Sequence, residues 1–244
     1  MEKKCSAIVI GVGPERGLGA TLASYFAAKG LHVYIAGRSA DKLNKIVDHI
    51  SQQGGSATAV VADATVEDDV AKLFNQVRQD GFDLEIAAYN VDSNNAAPLL
   101  DMDTQTFTTL WQQNCLGAFF FGKQALRIMK TRNKGTLIFT GATASLRARP
   151  PFTAFATAKA GLRALAQGMA REFSPQGIHV VHTVIDGVID GERAGSQFSS
   201  YVKAKGKDGL LQLEAIAETY WAIHQQHPSA WTHELDLRPF KEPF

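Results

Sequence analysis

Apolar and polar positions follow two alternating rhythms from one end of the chain to the other. Short apolar runs of strand type occupy 7–10, 32–36, 57–61, 84–89, 136–140 and 179–185, with a further one at 233–237. Between them stand stretches with apolar residues three and four apart. These predict helices over 17–30, 42–53, 66–80, 103–112, 113–131, 153–173 and 211–226. In the first helix Leu18, Leu22, Tyr25 and Phe26 carry the stripe and Gly30 stops it; the second ends at Gly54-Gly55. The stretch 191–210 is polar and rich in Gly, Ser and Lys. It reads as a mobile flap over a site, with Lys203, Lys205 and Lys207 on a solvated face, or else as an ordinary surface loop.

Strand–helix alternation at this spacing predicts an α/β fold. The expected architecture is one domain over 1–244, a doubly wound parallel sheet of about seven strands with helices on both faces and right-handed crossovers. No low-complexity linker or solenoid repeat divides the chain.

Composition narrows the partners. The 244 residues suffice for a full core without staples. A net charge of +1 offers no general attraction to phosphates or anionic lipid, so no nucleic-acid or membrane partner is expected. No apolar run approaches the roughly 20 residues that span a bilayer, and no cleavage-site pattern follows Met1. Cys5 and Cys115 lack metal spacing and read as reduced thiols, so the expected location is cytoplasmic. His224 and His227, three apart, lack further ligands, and no metal is expected.

The first strand runs into Gly11-Val12-Gly13-Pro14-Glu15-Arg16-Gly17-Leu18-Gly19. A glycine-rich turn from strand into helix brings main-chain N–H groups against a diphosphate, and the helix dipole favours the negative charge. A dinucleotide is therefore expected here. An NAD-selective site has an acidic residue after the second strand, where this chain has Gly37-Arg38-Ser39. A guanidinium pairs with a 2′-phosphate through two parallel bonds, so Arg38 and Arg16 favour NADP(H), with NAD(H) as the alternative.

With these motifs the chain resembles the short-chain dehydrogenase/reductase family over nearly its whole length. Gly13-x3-Gly17-x-Gly19 is similar to the family's Gly-x3-Gly-x-Gly motif, and Gly11 offers a second register for the first glycine. Asp63 and Ala64 resemble the end of the third strand, whose aspartate meets adenine. Asn90 matches one position of the fourth-strand Asn-Asn-Ala-Gly motif. Asn114 resembles the helix asparagine of the proton relay. Asp186, Gly187 and Ile189 fall on the Pro-Gly segment against nicotinamide, with Asp186 in place of the proline and Gly191 where a threonine often stands.

The resemblance departs from the family at the chemistry. Phe155-x3-Lys159 falls on Tyr-x3-Lys, so a benzyl ring replaces the phenol that serves as general acid and base. Ala142, thirteen residues before Phe155, stands at the position of the polarising serine. Of the four catalytic positions only Asn114 and Lys159 keep their residue types. Lys159 either donates the proton itself or only binds ribose. Thr143 and Ser145 offer nearby hydroxyls, or else serve a turn or helix cap. Asp92, Asp186 and Asp190 are expected to cluster, either with one raised-pKa carboxyl in place of the phenol or, more commonly, as solvated or capping aspartates. Two functions are carried. One is an NADP(H)-dependent short-chain oxidoreductase, with an atypical proton donor, for a small or medium carbonyl/alcohol or activated double bond. The other is a catalytically silent NADP(H)-binding sensor or subunit. The resemblance implies a homodimer or homotetramer.

Overall fold

The computed structural model describes residues 4–197, 199–206 and 208–242. Seven strands form one sheet: β1 (Cys5–Ile10), β2 (His32–Gly37), β3 (Ser56–Val61), β4 (Asp83–Tyr89), β5 (Gly135–Thr140), β6 (Ile178–Ile185) and β7 (Glu234–Leu237). Their order is β3-β2-β1-β4-β5-β6-β7, and every pairing is parallel. Parallel strands covered on both faces are buried along their length, as all eight residues of β6 are, His179, His182 and Thr183 among them.

The helices are α1 (Leu18–Ala28), α2 (Ala40–Gln52), α3 (Glu67–Gln79), α4 (Thr104–Trp111), α5 (Gly117–Lys130), α6 (Thr153–Phe173), α7 (Glu192–Gln197), α8 (Ser199–Lys205) and α9 (Leu213–His224). Leu22 and Phe26 of α1, Ile46 and Ile50 of α2 and Ile216 and Tyr220 of α9 pack on Val9, Val33, Ile35 and Val181. Phe74 of α3, Phe121 of α5 and Leu162 and Ala166 of α6 pack on Ile8, Ala87, Phe139 and Val180 of the other face. The doubly wound single sheet is the expected one.

Two segments differ from expectation. The predicted helices 103–112 and 113–131 are α4 and α5 joined through a wide π-type turn, Gln112–Leu116, with no loop between them. The polar stretch 191–210 carries α7 and α8; Phe198 and Lys207 within it lie outside the described residues. Its start is tied to the glycine-rich turn, for the Glu192 N–H donates to the Arg16 carbonyl at 2.8 Å. No helix among the described residues is long and apolar enough to cross a membrane. Both cysteines are free thiols.

Candidate active site

A cleft of about 880 Å³ opens at the carboxyl ends of the strands, where the chain order reverses between β1 and β4. This is where open parallel sheets expose strand-end loops and helix N-termini together. Gly11, Gly13, Gly17, Leu18 and Gly19 line one wall. Gly11 has φ +89°, and a Cβ there would lie 2.5 Å from the Asn90 carbonyl carbon, so the turn leaving β1 requires glycine. A Cβ on Gly13 would meet no protein atom within 4 Å: the bare main chain faces open cleft. A Cβ on Gly19 would lie 2.9 Å from the Gly11 carbonyl oxygen, so this glycine lets α1 approach the turn. Gly11 thus takes the tight-turn role that the sequence left between Gly11 and Gly13. Gly17 precedes α1 without a side-chain cap, and no acidic residue stands in the first turn. Bare main chain and an uncapped helix start together fit an anionic diphosphate.

Arg38 follows β2 at the same end, exposed and without an ion pair among the described residues. Arg16 Nη2 lies 2.8 Å from Asp190 Oδ1, an exposed contact from the turn to the segment before α7. Asp63 accepts the Thr65 N–H and hydroxyl on the same oxygen, Oδ1, and Ala64 lines the wall beside it. Asn90 reaches Gly11, its Nδ2 donating to the carbonyl at 3.4 Å.

At the opposite end the almost wholly buried Lys159 forms part of the cleft wall. Its Nζ donates to the Thr140 carbonyl at 3.1 Å, pairs with Asp92 Oδ1 at 3.1 Å and lies 5.6 Å from the centroid of the Phe155 ring. Asp92 also meets Arg193 of α7, Oδ2 to Nη1, at 3.1 Å. Burial works to raise the Asp92 carboxyl, but Lys159 and Arg193 outweigh it and hold the group below the usual carboxylate range. Asp92 is therefore not a raised carboxyl. Nor do the three aspartates form one cluster: Asp92 belongs to Lys159 and Arg193, Asp186 to Arg238 and Arg147, and Asp190 to Arg16.

Asn114 sits in the π-type turn, fully buried and behind the wall. Its Nδ2 donates to the carbonyls of Ser93 and Leu110, each at 2.9 Å, while Oδ1 is buried without a partner among the described residues. Gln113, its neighbour, lines the cleft. No described tyrosine side chain lines the cleft: Tyr89 donates to the Gln113 carbonyl, and Tyr220 bonds Thr140 behind β5.

Ala142 lines the cleft at the end of β5. The Ser145 hydroxyl turns back to the Ala142 carbonyl at 2.7 Å, and Ser145 is buried away from the cleft. Thr143 faces the cleft, but its hydroxyl donates to Asp186 Oδ1 at 2.5 Å. Asp186 accepts Arg238 on Oδ2 and, at 3.3 Å, Arg147 on the same oxygen. Gly187 and Ile189 continue this wall. Below it, a Cβ on Gly141 would lie 2.2 Å from His182 Nε2. That ring is buried and bonds Glu234 through Nδ1 at 2.9 Å. Burial lowers the imidazole to about 4 despite this carboxylate, so the contact is a hydrogen bond to neutral histidine near pH 7, with Nδ1–H donating.

One cleft thus gathers every residue expected for the cofactor, together with Phe155, Ala142 and Lys159; Asn114 and Ser145 stand behind it. The sequence reading missed Arg193 and Arg238 as partners of site aspartates, and His182 as the floor under Gly141. A lone arginine in a polar stretch and one in a tail carry no local signal of those contacts.

Comparison with known proteins gives the lineage. The profile of the family described as short chain dehydrogenase matches residues 7–201. Gluconate 5-dehydrogenase of Gluconobacter oxydans is 27% identical over 168 residues, 69% of this chain and 66% of that enzyme's own length. A short-chain dehydrogenase of Rhodopseudomonas palustris is 36% identical, with a TM-score of 0.83 over 97% of this chain and 99% of the other. An alcohol dehydrogenase of the archaeon Thermococcus sibiricus, solved with 5-hydroxy-NADP, shares the fold at 22% identity, with a TM-score of 0.86 over 99% of both chains. The chain belongs to the short-chain dehydrogenase family of oxidoreductases.

Proposed function

We propose that this protein is an NADP(H)-dependent oxidoreductase acting on a small or medium carbonyl/alcohol or an activated double bond, in which Lys159 manages the proton. The observation that carries this reading is a single cleft with bare glycine main chain at one end and a buried ammonium at the other. The main chain around Gly13 and the N-terminus of α1 bind the diphosphate. Arg38 and Arg16 hold a 2′-phosphate where no carboxylate follows β2. The known alcohol dehydrogenase complex with an NADP derivative supports the same choice.

NADPH bound there would supply a hydride for the carbonyl carbon and leave as NADP⁺, while the residues of this chain would supply the proton that the oxygen takes up. An ammonium has three donors. Thr140 and Asp92 take two from Lys159, which leaves the third to deliver a proton to the substrate oxygen, directly or through one water. Phe155 packs beside the ammonium and keeps bulk water from it. Asp92 and Arg193 orient the ammonium from the cleft side.

One observation favours a second reading, a silent NADP(H)-binding sensor or subunit: Lys159 is already charge-paired, and no described phenol lines the cleft. Calorimetry with NADPH and NADH, followed by a screen of carbonyls and enones for NADPH oxidation with Lys159→Ala as control, separates the two. Turnover lost in the variant supports the enzyme. Tight NADPH binding without turnover of any compound leaves the sensor, and binding of neither nucleotide ends both readings. The protein is further read as a homodimer or homotetramer, which light scattering tests.

A further inference from the structure

The cations at the Lys159 end of the cleft exceed the carboxylates that face them. Arg147, Arg149, Lys159 and Arg193 line it, and Asp92 and Asp186 are the carboxylates that answer them. Glu242 also lines the cleft but is engaged by Lys205. Asp186 is closely matched by Arg238, which comes from outside the lining, so Arg147 is surplus to it. The single charge of Asp92 is divided between Lys159 and Arg193. Arg149 has no ion pair among the described residues.

Arg147 is not held as a structural arginine is held in this chain. Arg163 grips Glu234 through two bonds of 2.7 Å each. Arg147 makes one contact of 3.3 Å, and its side chain is 39% exposed. The turn that bears both arginines is nevertheless anchored. The Arg147 N–H donates to the Thr143 carbonyl at 3.0 Å, the Phe152 N–H to Arg149 at 2.8 Å, and the Ala97 N–H to Pro151 at 3.1 Å. Two weakly engaged guanidiniums on a fixed turn are preorganised for an oxyanion. The chain as a whole is almost neutral, so this is a local concentration of charge. Phe152 and Phe155 supply the apolar surface beside it.

We infer that the substrate is a carbonyl compound with an apolar body and an oxyanion, a carboxylate or a phosphate, received by Arg147 and Arg149. This rests on the oxidoreductase reading for its chemistry, but the anion subsite is testable without turnover. The probes are benzoate, phenyl phosphate and neutral benzamide, measured by calorimetry with the full chain at low and at physiological salt. Benzoate or phenyl phosphate is expected to bind at least about tenfold tighter than benzamide, since hydrogen bonds between charged partners are stronger than those of a neutral amide. Which of the two anions binds tighter decides between carboxylate and phosphate. The preference is expected to vanish in Arg147→Ala/Arg149→Ala and to shrink in Arg149→Glu, a change at an exposed side chain that leaves Asp186 its partners. NADPH affinity should stay within about twofold in both variants, because Arg16 and Arg38 lie at the other end. Equal binding of charged and neutral probes, or a charge preference that survives the double substitution, overturns the inference. Failure of NADPH to bind would remove the proposed function and leave the anion result to be judged by itself.

Discussion

Lys159 and Asp92 meet at 3.1 Å across the cleft, one from α6 and the other from the segment after β4. The ammonium is almost wholly buried and the carboxylate about one-third exposed, so the pair lies at the boundary between core and cleft. Neither charge stands alone: Thr140 supports the lysine and Arg193 the aspartate. The Phe155 ring flanks the pair, its centroid 5.6 Å from the ammonium.

Lys159→Ala should lower the rate of carbonyl reduction by about 10²–10⁴, the usual contribution of a positioned acid. It should also destabilise the fold. Breaking a buried pair costs about 3–5 kcal/mol, reduced here to roughly 1–3 because Asp92 keeps Arg193 and partial solvation. Single-turnover kinetics and urea titration read the two effects separately. An unchanged rate would remove Lys159 from the chemistry.

The two glycines that open the cofactor turn should part company. Gly11→Ala places a Cβ against the Asn90 backbone at positive φ, and about 2 kcal/mol or more of stability should be lost. Gly13→Ala meets no protein atom and should melt within a degree or two of the parent, yet bind NADPH at least about tenfold more weakly. Thermal melts with and without NADPH distinguish them; a Gly13→Ala protein with parental affinity would place the diphosphate elsewhere.

Arg38→Ala should erase the preference for NADPH over NADH, lowering NADPH affinity about 10–100-fold and leaving NADH nearly untouched. Calorimetry on both nucleotides reads this, and equal dissociation constants in the parent protein would refute the 2′-phosphate assignment.

Stability should fall as pH drops below about 6.5. Burial depresses His32, His179, His182 and His224, with His182 at about 4. The unfolded chain therefore binds protons that the fold refuses. For His182 this loss runs from about 6.5 down to about 4 and then levels off, at up to about 1.4 kcal/mol per pH unit. Asp92, Glu85 and Glu234, held low by their cations, add a second loss below the ordinary carboxylate range. Urea titrations between pH 7 and 4 should show a clear decline, with a smaller slope in His182→Gln; a flat profile would mean these rings take up protons as readily in the fold as in the unfolded chain.

Gly141→Ala should be among the costliest small changes in the site, about 1–3 kcal/mol or more, because its Cβ displaces the His182 ring from Glu234. A melting temperature equal to the parent's would show that the ring yields freely.

Much of the architecture was legible in local order. Runs such as Ala7–Ile10 and Val33–Ile35 are apolar on successive residues because both sheet faces are covered, and Gly30 ends α1 where expected, with the Leu31 N–H closing on the Phe26 carbonyl. The short helices α7 and α8 were not legible, for six and seven mostly polar residues carry too little periodicity to declare a helix.

The sequence by itself determined the order of strands and helices, the glycine turn and the residue types at the reacting end. Those are properties of neighbours along the chain, where spacing and main-chain freedom act directly. Only the tertiary structure decided what each ionisable group faces: Asp92 against Lys159 and Arg193, Asp186 against Arg238, Arg16 against Asp190. Those partners come from distant segments brought to one sheet edge by the winding of the fold. A charge's behaviour depends on its surroundings in space, and residue order along the chain does not supply them.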